Sequence, residues 1–124
     1  EGPPFYGADM LTDRAERFIA AEIIREKVFR LTGEEIPYAA AVTIDSFNEA
    51  RPGELVRIAA TLHVERDSQK GIVIGRGGRK LKEIGQAARA DIERLLDTRV
   101  YLELFVRVQP NWTRDTRALR KFGY

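Results

Sequence analysis

The amino-acid sequence predicts an α+β domain in which helices pack on one face of a three-stranded sheet. Two segments, 55–65 and 99–109, alternate between apolar and outward-facing residues with the period of two that a half-buried strand requires. Between them, residues 78–97 carry an apolar stripe at helical spacing. A sheet with one apolar face needs a layer that covers it, and helices in this order supply that layer.

One helix and one strand are expected before the strand 55–65. Asp13 can cap the free N–H groups of a helix, with a glutamate three residues later, and Gly33 is a natural stop. A strand is expected over 38–47, and it should pair with 55–65 as an antiparallel hairpin. The apolar face of this first strand is expected to hold Tyr38, Ala40, Val42 and Ile44.

Residues 68–74 are ambiguous when judged from local pattern alone. The β-branched run Ile72-Val73-Ile74 favours a strand by propensity. Ser68, which follows Asp67, offers a helix cap, and the run is short. Both a strand and a short helix therefore remain open at this point.

The chain is expected to form a single domain, which its length of 124 residues fits. Pro110 ends the last strand, and a short basic helix is expected after it. The element order is α-β-β-α-α-β-α. We expect a linker at 1–12, the folded domain at 13–110 and a tail helix at 111–124.

Composition excludes several classes of protein. The chain has no cysteine, which removes disulfides and thiolate metal sites. No apolar run approaches the ~20 residues of a membrane span, and the first residues lack the basic start of a signal peptide. His63, the single histidine, has no ligand partner at metal-binding spacing and is expected to face solvent. We expect a cytoplasmic chain without a metal or cofactor.

Charge is unevenly distributed along the chain. The net charge is only +2, but residues 1–62 hold 7 cations against 11 acids, and residues 63–124 hold 14 against 8. Between Arg66 and Lys82 there are six cations and one acid. Such a patch is typical of a site for a polyanion, although charge alone would favour an ordinary solvated helix face.

A glycine-rich corner interrupts this basic segment at Gly75-Arg76-Gly77-Gly78. Glycine lets the backbone turn sharply and approach another molecule, and the helix that follows directs its free N–H groups toward that molecule. A Walker A loop would need Ser or Thr after its lysine, but Leu81 follows Lys80. A dinucleotide fingerprint would need a third glycine where Lys80 stands. The spacing that remains is Gly-x-x-Gly, which clamps single-stranded nucleic acid in KH domains.

The segment Gly71–Gly85, followed by Ala88-Arg89, resembles the C-terminal type II KH domain of the Era family of bacterial GTPases. The resemblance extends over almost the whole chain, including Ala21–Lys27 in the first helix and Tyr101–Leu104 in the last strand. It implies a three-stranded mixed sheet with helices on one face, and it favours the short helix at 68–74.

The resemblance also implies a function. Era-like proteins bind the 3′ end of small-subunit (16S) ribosomal RNA through this domain and assist ribosome assembly under the control of a GTPase domain. The expected partners are single-stranded ribosomal RNA, the small ribosomal subunit and that GTPase domain, with peripheral membrane association of the whole protein. Because these 124 residues contain no Walker A motif, GTP hydrolysis is not expected of them. The chain is expected to bind RNA and not to be an enzyme.

The predicted RNA-binding residues combine glycines, cations and an apolar floor. The four corner residues bring the backbone to the phosphates, and neighbouring cations attract the phosphates. The isoleucines are candidates for an apolar floor under the bases, with packing in the core as the open alternative. The variable pair of the loop is Arg76-Gly77, whereas the family often has a cation at the second site. The strand 55–65 is expected to form the other wall, and Ile84 is expected to pack in the core. The predicted set is Arg66, Lys70, Ile72, Ile74, Gly75, Arg76, Gly77, Gly78, Arg79, Lys80 and Lys82.

Two other functions remain open. A KH-shaped domain could serve protein interaction or regulation without binding RNA, although the cations around the glycine corner favour RNA. A fragment of an enzyme for phosphorylated ligands is disfavoured because no nucleophile and base are paired. Tyr101 and Phe105, on the outward face of the last strand, could stack bases, but packing against the tail or a partner is the favoured interpretation.

Overall fold

A computed structural model describes residues 8–33, 36, 41–48 and 55–110 of the chain. In chain order the elements are α1 (Ala8–Leu31), β1 (Ala41–Asn48), β2 (Val56–Val64), α2 (Asp67–Ile74), a 3₁₀ turn (Arg76–Gly78), α3 (Arg79–Leu96) and β3 (Val100–Val108). This order confirms the predicted α+β class and the short helix at α2. The predicted tail helix at 111–124 and the strand residues 38–40 lie outside the described residues.

Helix α1 begins at Ala8, so the prediction that it starts at Asp13 is wrong by five residues. Residues 8–12 contain neither proline nor glycine, so the helical repeat can extend back through part of the predicted linker. The predicted stop is confirmed. The Thr32 amide donates to the Val28 carbonyl at 3.1 Å, and Gly33 adopts φ +65°, the left-handed conformation that ends many helices.

The sheet is mixed and has the order β1-β2-β3, which leaves β2 in the centre. Strands β1 and β2 pair antiparallel, as predicted, whereas β2 and β3 pair parallel in an unbroken register from Val56↔Val100 to Val64↔Val108. A parallel pair cannot be joined by a tight turn. The connection from β2 to β3 therefore crosses the sheet through α2, the 3₁₀ turn and α3.

A β-bulge in β1 changes which of its side chains face the core. The register slips between Ile44 and Ser46, so that Asp45 is the extra residue. An uninterrupted period of two would turn Phe47 outward, but after the bulge it pairs with Ile58 and is buried. Val42 and Ile44 lie on the predicted apolar face, and the bulge adds Phe47 to it.

The core lies between the helices and the inner face of β2, as the alternation predicted. The inward side chains of β2 are all buried, and so are residues from each helix: Ala20, Ile24 and Val28 in α1, Val73 in α2, and Ile84, Ala88 and Ile92 in α3. Lys27 Nζ lies 2.7 Å from Asp91 Oδ2 and joins α1 to α3 at the edge of this core.

His63 is buried, so the prediction that it faces solvent is wrong. It lies on the face of β2 opposite the core but retains only 3% exposure. Its Nε2 is 3.0 Å from the hydroxyl of Thr43 on the neighbouring strand, which covers part of the ring. Strand alternation specifies a face of the sheet, but it does not specify what covers that face.

Replacing Ile92 with Ala should lower the free energy of unfolding by about 2–5 kcal/mol, because the side chain is fully buried and leaves a cavity. Urea denaturation followed by circular dichroism measures the change. Leu95→Ala on the same helix is the matched control, since Leu95 is 43% exposed and should cost much less. Equal losses from the two substitutions would contradict this description of the core.

Candidate nucleic-acid interface

The corner between α2 and α3 requires glycine at position 75. Gly75 adopts φ +75° and ψ 177°, a conformation that only glycine populates readily. A Cβ at this position would lie 2.6 Å from the Lys80 Cβ and 2.9 Å from the Lys80 backbone nitrogen. The amide of Gly75 also caps α2 by donating to the Gly71 carbonyl at 2.8 Å. The lack of a side chain at Gly75 therefore allows α2 and α3 to pack in contact at this corner.

The other two glycines of the corner leave its outer surface open. Gly77 and Gly78 adopt φ +63° and +80°, and a Cβ at either position would meet nothing within 4 Å. Helix α3 begins immediately afterwards at Arg79, so the amides of its first turn lie beside this open surface. The backbone here is accessible to an anionic group, which fits the predicted phosphate contact.

Most cations near the corner have no acidic partner among the residues that the structure describes. Arg76, Arg79 and Lys82 are exposed and form no ion pair there. Lys80 is different, because its Nζ lies 3.0 Å from Glu83 Oε1 and its backbone packs against Gly75. Three of the four predicted loop cations therefore present uncompensated charge, and Lys80 is partly neutralised.

Arg66 lies at the opposite end of α2 from the glycine corner. Arg66 precedes α2 and Gly75 follows it, so the helix separates them by about 12 Å. The Gln69 side-chain oxygen, and not Ser68, caps this helix by accepting from the Glu65 and Arg66 amides at 2.9 and 3.1 Å. Arg66 therefore lies at the far end of α2 from the corner, and the RNA contacts of Arg66 and Lys70 stay predictions.

The two isoleucines of α2 that were predicted to support bases are both half-buried, and their contact with bases stays a prediction. Ile72 is half-buried and packs against the core, and Ile74 is half-buried at the end of α2. Ile84 is fully buried, which confirms its predicted place in the core. Neither Ile72 nor Ile74 lines the groove described next.

A groove of about 420 Å³ runs between α3 and β3, starting at the glycine corner. Its helical wall consists of Gly78, Leu81, Lys82, Gly85, Gln86 and Arg89. Its strand wall consists of Tyr101, Leu102 and Leu104. The strand 55–65, which was predicted to line the other side of the RNA groove, contributes no residue to this groove, because β2 is the central strand and the edge strand β3 borders it.

Gly78 and Lys82 are the predicted RNA-binding residues that line this groove, and Tyr101, named above as a residue that could stack bases, lines it as well. The other lining residues were not predicted. One signal was present: Lys82, Gln86 and Arg89 follow helical spacing and share the polar side of α3. Gly85 lies opposite Leu104 in this groove, and a Cβ at position 85 would lie at an ordinary contact distance of 3.7 Å from Leu104 Cδ1. The strand wall had no local signal, because it depends on which strand lies at the edge.

The groove combines an apolar floor with cations on one rim, which suits a single strand whose bases point inward and whose phosphates stay at the rim. No cluster of histidine and acidic residues that could hold a metal ion occurs in the part of the chain that the structure describes. In the same part, none of the helices has the length and apolar character of a membrane span.

Replacing Gly75 with Ala should lower the free energy of unfolding by about 1–3 kcal/mol, through backbone strain and the contact with Lys80. Gly71→Ala is the matched control within the same helix, where the added methyl meets nothing within 4 Å. It should raise the free energy of unfolding by about 0.4–1 kcal/mol. Thermal or urea denaturation measures both changes, and the same sign for both would contradict the geometry.

Comparison with known proteins identifies the family. The KH domain family matches residues 35–113. The GTPase Era of Geobacter metallireducens is 62% identical over the full chain, and that of Staphylococcus haemolyticus is 53% identical. The chain spans only 42% and 41% of these proteins.

Comparison with solved structures indicates the same family. The structure of Aquifex aeolicus Era bound to GDP·AlF₄⁻ matches 87% of the chain with a TM-score of 0.78 and 44% identity, and the match spans 36% of Era. A structure of Era with MgGDPNP and nucleotides 1506–1542 of 16S ribosomal RNA matches all of the chain and 41% of that protein, with a TM-score of 0.79 and 42% identity. The chain belongs to the KH domain family and corresponds to the C-terminal part of Era.

Proposed function

We propose that this chain binds single-stranded RNA, with the phosphates at the glycine corner and the bases in the groove between α3 and β3. The observation that carries the proposal is the accessible corner itself. Gly77 and Gly78 expose the backbone beside the first turn of α3, and Arg76, Arg79 and Lys82, which form no ion pair among the described residues, lie in or close after this corner. The phosphate contacts position the strand, and the groove contacts the bases.

We further propose that the RNA is the 3′ end of 16S ribosomal RNA and that the chain acts in ribosome assembly in the cytoplasm. The Era structure solved with nucleotides 1506–1542 of 16S ribosomal RNA supports this choice, since it resembles the chain along its whole length. The chain spans about two fifths of such proteins, so control by a GTPase domain belongs to the same proposal. Peripheral membrane association of the whole protein stays a prediction.

The role proposed here is binding and not catalysis. KH domains are not enzymes, and the GTPase activity named for the relatives is not assigned to these residues. A domain that only binds protein remains the rival function. The uncompensated cations beside open backbone favour RNA, since a protein partner would not require backbone access at two successive positive-φ glycines.

The double substitution Arg76→Asp with Gly77→Asp should weaken RNA binding by roughly 10- to 100-fold, because it replaces a charged contact by repulsion. Aspartate tolerates the left-handed conformation of Gly77 better than most residues, so the fold should be preserved. Fluorescence anisotropy with a labelled pyrimidine-rich oligonucleotide from the 3′ end of 16S ribosomal RNA measures the affinity.

The matched control for this experiment is Arg30→Asp with Gly33→Asp at the end of α1. It changes the net charge equally and also places Asp at a positive-φ glycine, but it lies outside the proposed interface. Circular dichroism verifies that both variants are folded. Equal affinities for the two variants would show that the corner does not bind RNA.

Binding should also weaken as salt rises, because phosphate contacts release counterions. For about four contacts to a single strand, affinity should fall roughly 50-fold between 50 and 200 mM salt. Arg79→Gln should reduce the slope of log K against log salt by about 0.7, whereas Arg30→Gln should leave it unchanged. An affinity independent of salt would favour the protein-binding rival.

A further inference from the structure

The face of the sheet opposite the helices carries two exposed aromatic side chains on β3. Tyr101 is 47% exposed and Phe105 is 52% exposed. They point to the same side of the strand, four residues and about 13 Å apart. Large apolar side chains that share one exposed face mark an interaction site more often than isolated ones do.

Tyr101 also lines the groove, so the groove and this aromatic face are continuous. Helix α3 and strand β3 run in opposite directions after the connection at 97–99. The groove therefore begins at the glycine corner and ends beside Arg89 and Tyr101. Because β3 is the edge strand, a ligand that leaves the groove beside Tyr101 can fold over this edge and run back along the outer face of the sheet toward Phe105.

The surroundings of Tyr101 suit a nucleic-acid strand. Arg57 pairs with Tyr101 in the register of β2 and β3, and its guanidinium carbon lies 5.7 Å from the ring centroid. This cation adds a planar, positively charged surface next to the aromatic ring. Glu103 lies between the two aromatic residues and is exposed, so its negative charge disfavours phosphates close to the sheet.

We propose that Tyr101 and Phe105 form a second subsite, on which bases of the same RNA strand stack after it leaves the groove. The proposal rests on the proposed function, since it extends the path of the strand beyond the four nucleotides that a Gly-x-x-Gly loop clamps. Stacking on an aromatic ring tolerates any base. The subsite therefore increases the affinity for longer RNA strands and adds little sequence specificity.

Phe105→Ala tests the subsite, because Phe105 lies outside the groove and is exposed enough to be removed without unfolding the chain. Anisotropy is measured with labelled single-stranded RNAs of four and eight pyrimidines. The unsubstituted chain should bind the longer RNA more tightly. Phe105→Ala should lose about 5- to 100-fold in affinity for the longer RNA and keep its affinity for the shorter one.

Two further variants separate stacking from a structural effect. Phe18→Ala, on α1, removes a phenylalanine that is 66% exposed and should change neither affinity. Glu103→Gln should strengthen binding of the longer RNA only, because it removes a negative charge from the subsite. Equal affinity of the chain and Phe105→Ala for the longer RNA would overturn the subsite.

The same measurements distinguish this failure from failure of the proposed function. If the variant with Asp at 76 and 77 binds the four-nucleotide RNA as tightly as the unsubstituted chain, the proposal that RNA binds at the glycine corner and the groove is itself wrong. Photocrosslinking from p-benzoylphenylalanine in place of Phe105 identifies the occupant of the face. Crosslinks to the longer RNA support the subsite, and crosslinks in its presence only to residues 111–124 or to another protein overturn it.

Discussion

The parallel pairing of β2 with β3 is the constraint on which the rest of this structure depends. The register runs without a break from Val56↔Val100 to Val64↔Val108. Since a parallel pair requires a crossover, α2 and α3 must lie over the sheet, where they bury the inner face of β2. The same pairing leaves β3 at the edge, so the groove opens between that strand and α3. The parallel pairing of β2 with β3 therefore determines both the fold and the position of the candidate site.

The glycine corner shows how one short segment meets two requirements. Gly75 faces inward, against Lys80, and serves the packing of α2 on α3. Gly77 and Gly78 face outward and serve access to the backbone. Lys80 contributes partly to the packing of α2 on α3, whereas Arg76 belongs to the accessible outer surface. Loss of stability and loss of binding are consequently separable within four consecutive residues.

Strand β3 also serves two roles, because its successive side chains point to opposite faces of the sheet. Leu102 and Leu104 point toward α3 and form the apolar wall of the groove, whereas Phe105 points to the other side. Tyr101 lies at the edge between the two sides. An edge strand can thus present both of its faces to one extended ligand, which a central strand such as β2 cannot do.

By itself, the sequence determined the elements with strong local patterns. The alternation of β2, the apolar stripe of α3 and the conformation demanded by the glycines depend on neighbours in the chain, so local chemistry was enough to predict them. Only the tertiary structure decided the bulge at Asp45, the burial of His63 and the strand that borders the groove. Each of these depends on which strands pair and in what register, and that choice is made by contacts between residues far apart in the chain.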